Sequence, residues 1–550
     1  MTRKPGLGAA VRRQGMRATA VGMAAVFFGI SPIPGTGAPP AFADNGVTGP
    51  PQALDSPPSD EVSNGGTDYE QKNLCRTGEH QPDTNFKNPT WGQRSLDLDA
   101  AHRISTGEGV SVAVIDTGVT EVKGRLEGVE GGGDYIRGEG QGGHGGDTNG
   151  LDDCDLHGTF AAGIIAAKAK PGADSFVGVA PDAHIISIRQ SSDLFGPKGG
   201  DNNIPAGTLN TLAHAVVHAA NKGAQVINIS IDSCFAAGNW QQNDNRGQDM
   251  ILGAALKYAA EVKDAVVVVA AGNLQGGSKD ATCKGQNPDY DATQRYDYDT
   301  ADPAPPTDPG TPTYGPKNPF NTASPENPAN WTTLQTVVTP AWWYQYVLTV
   351  GWVDRSGQPA GVDPSGQAKQ DSGTIGGPWV GIAAPGDNMI SVNPRPGEDV
   401  VGKPNADLAD ATPAGDGKLQ TIQGTSFAAP IVAGAAALLR SLHPDWNRVQ
   451  VIEQLERTAI HPPRGRDNYV GYGLVDIVAA LTQEPGPAVD LMQQYATKRL
   501  PPPVPPALPE HRPRNFAIMV SSVALLLLAL GAVVSIPIRD ARRNRTGGKK

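Results

Sequence analysis

The sequence predicts an α/β fold, a parallel central sheet with helices on both faces. Six short runs rich in Val and Ile, at 110–115, 185–188, 226–229, 266–269, 347–350 and 380–383, are apolar at nearly every position instead of alternating. Strands of that kind are covered on both sides, as in parallel sheets. Helical stretches at 160–167, 208–221, 251–262, 428–442 and 448–458 fall between or after them, and strand–helix alternation builds βαβ units. Gly (68) and Pro (48) make up about a fifth of the 550 residues. That is below the level that marks disorder, so one compact domain with long loops and irregular ends is expected. A net charge of -11, with no basic stripe outside the termini, excludes nucleic acid as a partner.

In chain order, a basic front (Arg3, Lys4, Arg12, Arg13, Arg17) precedes an apolar stretch at 18–30 and the small-residue site Ala41-Phe42-Ala43. This is the form of a secretory signal peptide over 1–43. Residues 44–90 are an N-terminal extension, loose or wound over a surface as far as about Thr67. The α/β domain is expected over 91–482. Two stretches inside it carry no strand or helix signal: a glycine-rich loop at 128–150 and a long polar insert at 275–339. A proline-rich spacer follows at 483–514. Residues 516–536 are uncharged and long enough to span a bilayer. They are the centre of a transmembrane helix at 515–538 with a basic tail at 539–550. Basic residues favour the cytoplasmic side, which puts the α/β domain outside the cell membrane. In an exported chain the four cysteines, Cys75, Cys154, Cys234 and Cys283, read as two disulfides with three possible pairings. The absence of a CxxC pair speaks against zinc.

Four segments carry chemistry. An apolar strand ends in Asp116-Thr117-Gly118, where an Asp is either a turn residue or an acid held at a strand's carboxyl end. His157-Gly158-Thr159 opens a helix of small residues, as a structural histidine or a general base. Gly424-Thr425-Ser426-Phe427 enters the Ala-rich helix, where Ser426 is either a cap or a nucleophile beside free backbone N–H groups. Ala270-Ala271-Gly272-Asn273 ends another strand with an amide donor. Together they supply a nucleophile, a base, an orienting acid and an oxyanion donor, and such sites gather at the carboxyl ends of parallel strands.

These segments, with Gly-Thr-Ser-Phe-Ala-Ala-Pro at 424–430, resemble the signatures of subtilisin-like (S8) serine peptidases. Ile227-Asn228-Ile229-Ser230, Ala384-Pro385-Gly386 and Tyr472-Gly473-Leu474-Val475-Asp476 resemble further family segments. The tails, the four cysteines and the spacer are similar to those of mycosins, the membrane-anchored subtilases of type VII secretion systems. The resemblance implies a subtilisin-like fold and an Asp116–His157–Ser426 triad with Asn273 in the oxyanion hole. Ser230 and Gly272 would bind an extended polypeptide substrate. No cofactor and no metal are expected. It also implies a place in a type VII secretion membrane complex, either as a protease or chiefly as a structural subunit. In that fold the strands preceding Ser230 and Asn273 are parallel neighbours. Cys234 and Cys283 follow their exits and are expected to pair. Cys75 would then pair with Cys154 and tie the extension to the loop before His157.

Overall fold

The computed structural model describes residues 49–141, 144–202, 204–240, 245–274, 283, 285–287, 334–360, 373–414, 417–462 and 466–484. The expected signal peptide, most of the insert, the proline-rich spacer from 485 on, the membrane span and the tail lie outside them.

Seven strands form a wholly parallel sheet: β1 (Ser111–Asp116), β2 (Glu130–Asp134), β3 (His184–Arg189), β4 (Val226–Ile229), β5 (Val266–Ala270), β6 (Val347–Val353) and β7 (Val380–Pro385). Their order is β7-β6-β5-β4-β1-β3-β2. Five helices matter here: α1 (His157–Ala166), α2 (Leu209–Asn221), α3 (Asn245–Lys257), α4 (Thr425–Leu442) and α5 (Arg448–Thr458). Val112, Val114, Val226 and Val268 pack into one core with α1, α4 and α5. Their neighbours Ala113, Ile115, Ile227 and Val267 pack into a second core with α2 and α3. Alternate strand residues point to opposite faces, so strands with apolar residues on both faces feed both cores. Each fully buried Val or Ile contributes about 1.5–3 kcal/mol. Among the described residues, α4 is the helix long and apolar enough to cross a membrane, and it is 83% buried inside the domain.

The glycine-rich stretch at 128–150 is not all loop, because β2 lies within it. Its sequence, Glu-Gly-Gly-Gly-Asp, has no β-branched residue to signal a strand. The reason is close approach: a Cβ on Gly132 would sit 2.7 Å from both Ile186 and Ile188 of β3. The polar insert also ends in structure. Thr336–Thr339 is a buried strand that pairs antiparallel with Ser233–Ala236. The helical stretch at 251–262 begins earlier, at Asn245, and finishes as a π-turn over Tyr258–Val262.

Both disulfides form in the expected pairing. Cys75 and Cys154 have Cα atoms 4.5 Å apart, and Cys234 and Cys283 are 5.2 Å apart, inside the range a bridge spans. The extension runs over α2, where Asn221 Nδ2 donates to Asp60 Oδ2 at 2.9 Å and His218 Nδ1 lies 2.6 Å from Asp60 Oδ1. It then adds Tyr69–Gln71 between Gly138–Glu139 and Phe195–Pro197.

Candidate active site

The exits of β1, β4 and β5 and the N-termini of α1 and α4 meet at the carboxyl edge of the sheet. Asp116 is the last residue of β1 and is fully buried. Its Oδ1 lies 2.7 Å from His157 Nδ1 and accepts from the Thr117 N–H at 2.8 Å. Its Oδ2 is buried without a partner. His157 is the first residue of α1 and follows Leu156, which has φ 69°. Its ring packs against Phe427, with centroids 4.9 Å apart and planes tilted by 48°.

Phe427 is the residue after Ser426. Ser426 sits in the first turn of α4, partly exposed, where the helix leaves backbone N–H groups unpaired. Pro430 has no N–H to give to the Ser426 carbonyl one turn back. Gly424 caps the helix at φ 127°, and a Cβ there would lie 3.1 Å from Asn273 Oδ1. Only glycine combines that backbone with that approach. Asn273 Oδ1 accepts from the Thr425 N–H at 3.0 Å. This fixes the amide orientation and leaves its NH₂ as the free donor group.

Thus Asp116 and His157 are joined by a direct contact, and Ser426 lies between Thr425, which bonds to Asn273, and Phe427, which packs on His157. Ser230 differs. It is buried, and its hydroxyl accepts from Asn228 Nδ2 at 2.9 Å, which ties the side chain to the strand and leaves its O–H as a donor. Gly272, at φ 95°, accepts from the Ile375 N–H at 2.9 Å.

Burial pulls the His157 imidazole down. The charge and hydrogen bond of Asp116, with the charges of Asp153 and Asp193, outweigh it and raise the ring to about 9. The turn beyond Ser230 brings in Asp232, which burial pushes up to about 6 against the opposing pull of His157. Asp232, Cys234 and Cys283 are close enough to resemble metal ligands. The two sulfurs are bonded to each other, and a disulfide offers no thiolate.

The motif reading did not single out Asp153. It is wholly buried between the β1 exit and α1. The signal available in the sequence was an Asp four residues before His157, between two threonines that each follow a motif residue, Thr117 and Thr159.

The family model of the subtilases matches residues 107–473. Mycosin-1 of Mycolicibacterium smegmatis is 38% identical over 515 residues, covering 91% of this chain and 96% of that protein. The chain belongs to the subtilase family, and within it to the mycosins. As a subtilase it is a serine endopeptidase, and its parallel seven-stranded sheet is the subtilisin-like fold. A solved structure described as a serine protease MycP1, an essential component of the type VII (ESX-1) secretion system, is 38% identical with a TM-score of 0.60. The match covers 80% of this subtilase and 100% of that chain. A chain in an intact ESX-5 inner membrane complex is 37% identical with a TM-score of 0.60. There the match covers 90% of this subtilase and 99% of that chain.

Proposed function

We propose that this mycosin hydrolyses peptide bonds through Asp116, His157 and Ser426, and that it does so as part of a type VII secretion complex in the cell membrane. The 2.7 Å contact between Asp116 and His157 Nδ1 carries the catalytic part. It leaves Nε2 as the nitrogen free to take a proton from the nucleophile. Ser426 Oγ attacks the scissile carbonyl as His157 takes its proton, which His157 then gives to the leaving amine. Asp116 holds the tautomer and stabilises the imidazolium. The Asn273 NH₂ and the Ser426 N–H stabilise the oxyanion. The backbone at Ser230 and Gly272 holds the polypeptide as an added strand. Residues 1–43 direct export, and 515–538 anchor the chain with its peptidase domain (91–482) outside and its C-terminus in the cytoplasm.

Ser426→Ala is expected to remove peptide hydrolysis while leaving the melting temperature unchanged, and turnover by the purified variant at the wild-type rate would refute the assignment. The likeness to a chain in the ESX-5 inner membrane complex favours a second role, stabilising the secretion complex. Cells carrying Ser426→Ala are therefore expected to secrete more than cells lacking the chain. Equal failure would sink the structural role.

A further inference from the structure

Behind the triad, the β1 exit and the first turn of α1 are clipped together by one buried carboxylate. Asp153 Oδ1 accepts from the Thr117 hydroxyl at 2.8 Å and from the N–H groups of Asp155 at 3.1 Å and Leu156 at 2.8 Å. Its Oδ2 accepts from the Thr159 N–H at 2.8 Å and the Thr159 hydroxyl at 2.7 Å. Three of these donors are backbone groups and cannot reverse. The two hydroxyls are oriented as well. Thr117 Oγ1 already accepts from the Gly158 N–H at 2.9 Å, and Thr159 Oγ1 from the Thr120 N–H at 3.0 Å. Each therefore turns its hydrogen toward Asp153. Five donors and no acceptor face this group, which is the environment of an ionised carboxylate.

The contacts converge on the catalytic pair. Thr117 follows Asp116, Leu156 precedes His157, and Gly158 and Thr159 follow it. The Arg395 guanidinium donates to the backbone carbonyl of Asp153 at 3.3 Å. No cation bonds to its carboxylate among the described residues, and the titratable positive charge that the carboxylate faces is the one His157 acquires during turnover. We propose that Asp153 is a positioning residue for this peptidase, holding His157 in line with Asp116 and stabilising the imidazolium as a second buried negative charge. This rests on the triad proposed above. The groups facing His157 are Asp116 at the end of β1, Asp153 ahead of α1, Asp193 from the loop after β3, Asp232 from the turn after β4, and the uncharged Phe427 ring of α4. Burial, with the Asp116 charge, holds the Asp153 carboxyl above its ordinary value against the hydrogen bonds from Thr159 and Thr117. A proton on either oxygen would nevertheless face a fixed donor, so the five oriented donors favour the ionised form.

The test is steady-state hydrolysis of one neutral peptide between pH 5 and 10, with active sites titrated by a serine-directed phosphonate. Asp153→Asn is expected to lower kcat per titrated site roughly tenfold to a hundredfold, with KM little changed. It should also move the midpoint of kcat/KM to lower pH, because a negative charge facing the imidazolium has gone. A folded variant with an unmoved midpoint overturns the proposal whatever its kcat, because loss of packing alone would do no more. If Asp153→Asn does not fold, Thr117→Val and Thr117→Ser decide. The valine should lower kcat at constant KM and the serine should restore it, while equal kcat in both overturns the proposal. If Ser426→Ala still hydrolyses the peptide, the triad itself is wrong. A normal wild-type profile with unresponsive Asp153 and Thr117 variants removes only the role given to Asp153.

Discussion

Two buried acids of this molecule receive opposite company. Asp116 meets a titratable base, His157, and keeps one oxygen without a partner. Asp249 of α3 meets only neutral donors. Its Oδ2 accepts from the indole N–H groups of Trp240 and Trp342, both at 3.1 Å. Its Oδ1 accepts from the Trp343 indole at 2.9 Å and the Thr339 hydroxyl at 2.6 Å. Both carboxylates have no exposed surface. The first faces a base that becomes a cation when it takes a proton, so its charge does chemistry. The second is satisfied at rest, so its charge holds the return of the insert against α3. A buried carboxylate without a Lys or Arg partner is therefore not by itself a sign of catalysis. Its donors must be counted and their capacity to titrate asked.

The comparison is broken most severely at Asp116. Asp116→Asn is expected to lower kcat by about four orders of magnitude, the figure known for the equivalent change in another serine protease, with little change in KM. Stopped assays against titrated active sites would measure it, and a loss below tenfold would place Asp116 beside Asp249 as a structural acid.

A smaller effect sharpens the comparison. In the wild type kcat/KM should rise with pH, with a midpoint above the ordinary 6.5 of imidazole and toward about 9, because the base works only when neutral. Stability follows the same ionisation with the opposite benefit. The folded chain favours the imidazolium, so the stabilisation from the pair is complete below about 6.5 and is lost as pH rises through about 9. A midpoint at or below 6.5 would contradict the pairing.

Much of this was legible in the sequence. The Val- and Ile-rich runs announced six strands because burial on both faces leaves few polar positions, such as Ser187, Asn228 and Thr349. The motifs at 116–118, 157–159, 270–273 and 424–430 marked the places where strands and helices meet. What was hidden follows from physics the pattern does not carry. β2 is written in glycine because Gly132 must clear Ile186 and Ile188. The strand at Thr336–Thr339 is short and lies at the end of a polar insert. The hydroxyl of Ser230 accepts from Asn228, which only coordinates reveal. Asp153 and Asp249 are ordinary acids until folding surrounds them with donors from five and four groups, respectively.

The gentlest test falls on Asp249. Burial pushes its carboxyl up to about 6, against hydrogen bonds from Thr339 and the three indoles that favour the ionised form. The folded pKa thus lies above the ordinary 3.8. The folded chain binds this proton more tightly than the unfolded chain does, so the contribution is largest in acid and declines as pH rises from about 4 to about 6. Asp249→Asn removes that titration. It also replaces an oxygen by an NH₂, which cannot accept from the donors aimed at it. One unmatched buried donor costs about 1–3 kcal/mol, and two face each oxygen. The variant should melt at lower temperature, and its stability should be flatter than that of the wild type between about pH 4 and 6. Turnover per titrated active site should stay near the wild-type value, because none of these donors belongs to the triad. Thermal melts across that pH range, paired with active-site titration, would separate the two acids. A folded Asp249→Asn with collapsed kcat would mean that the return of the insert at Thr336–Thr339, which lies against the strand beyond Ser230, positions the substrate as directly as the sheet edge does.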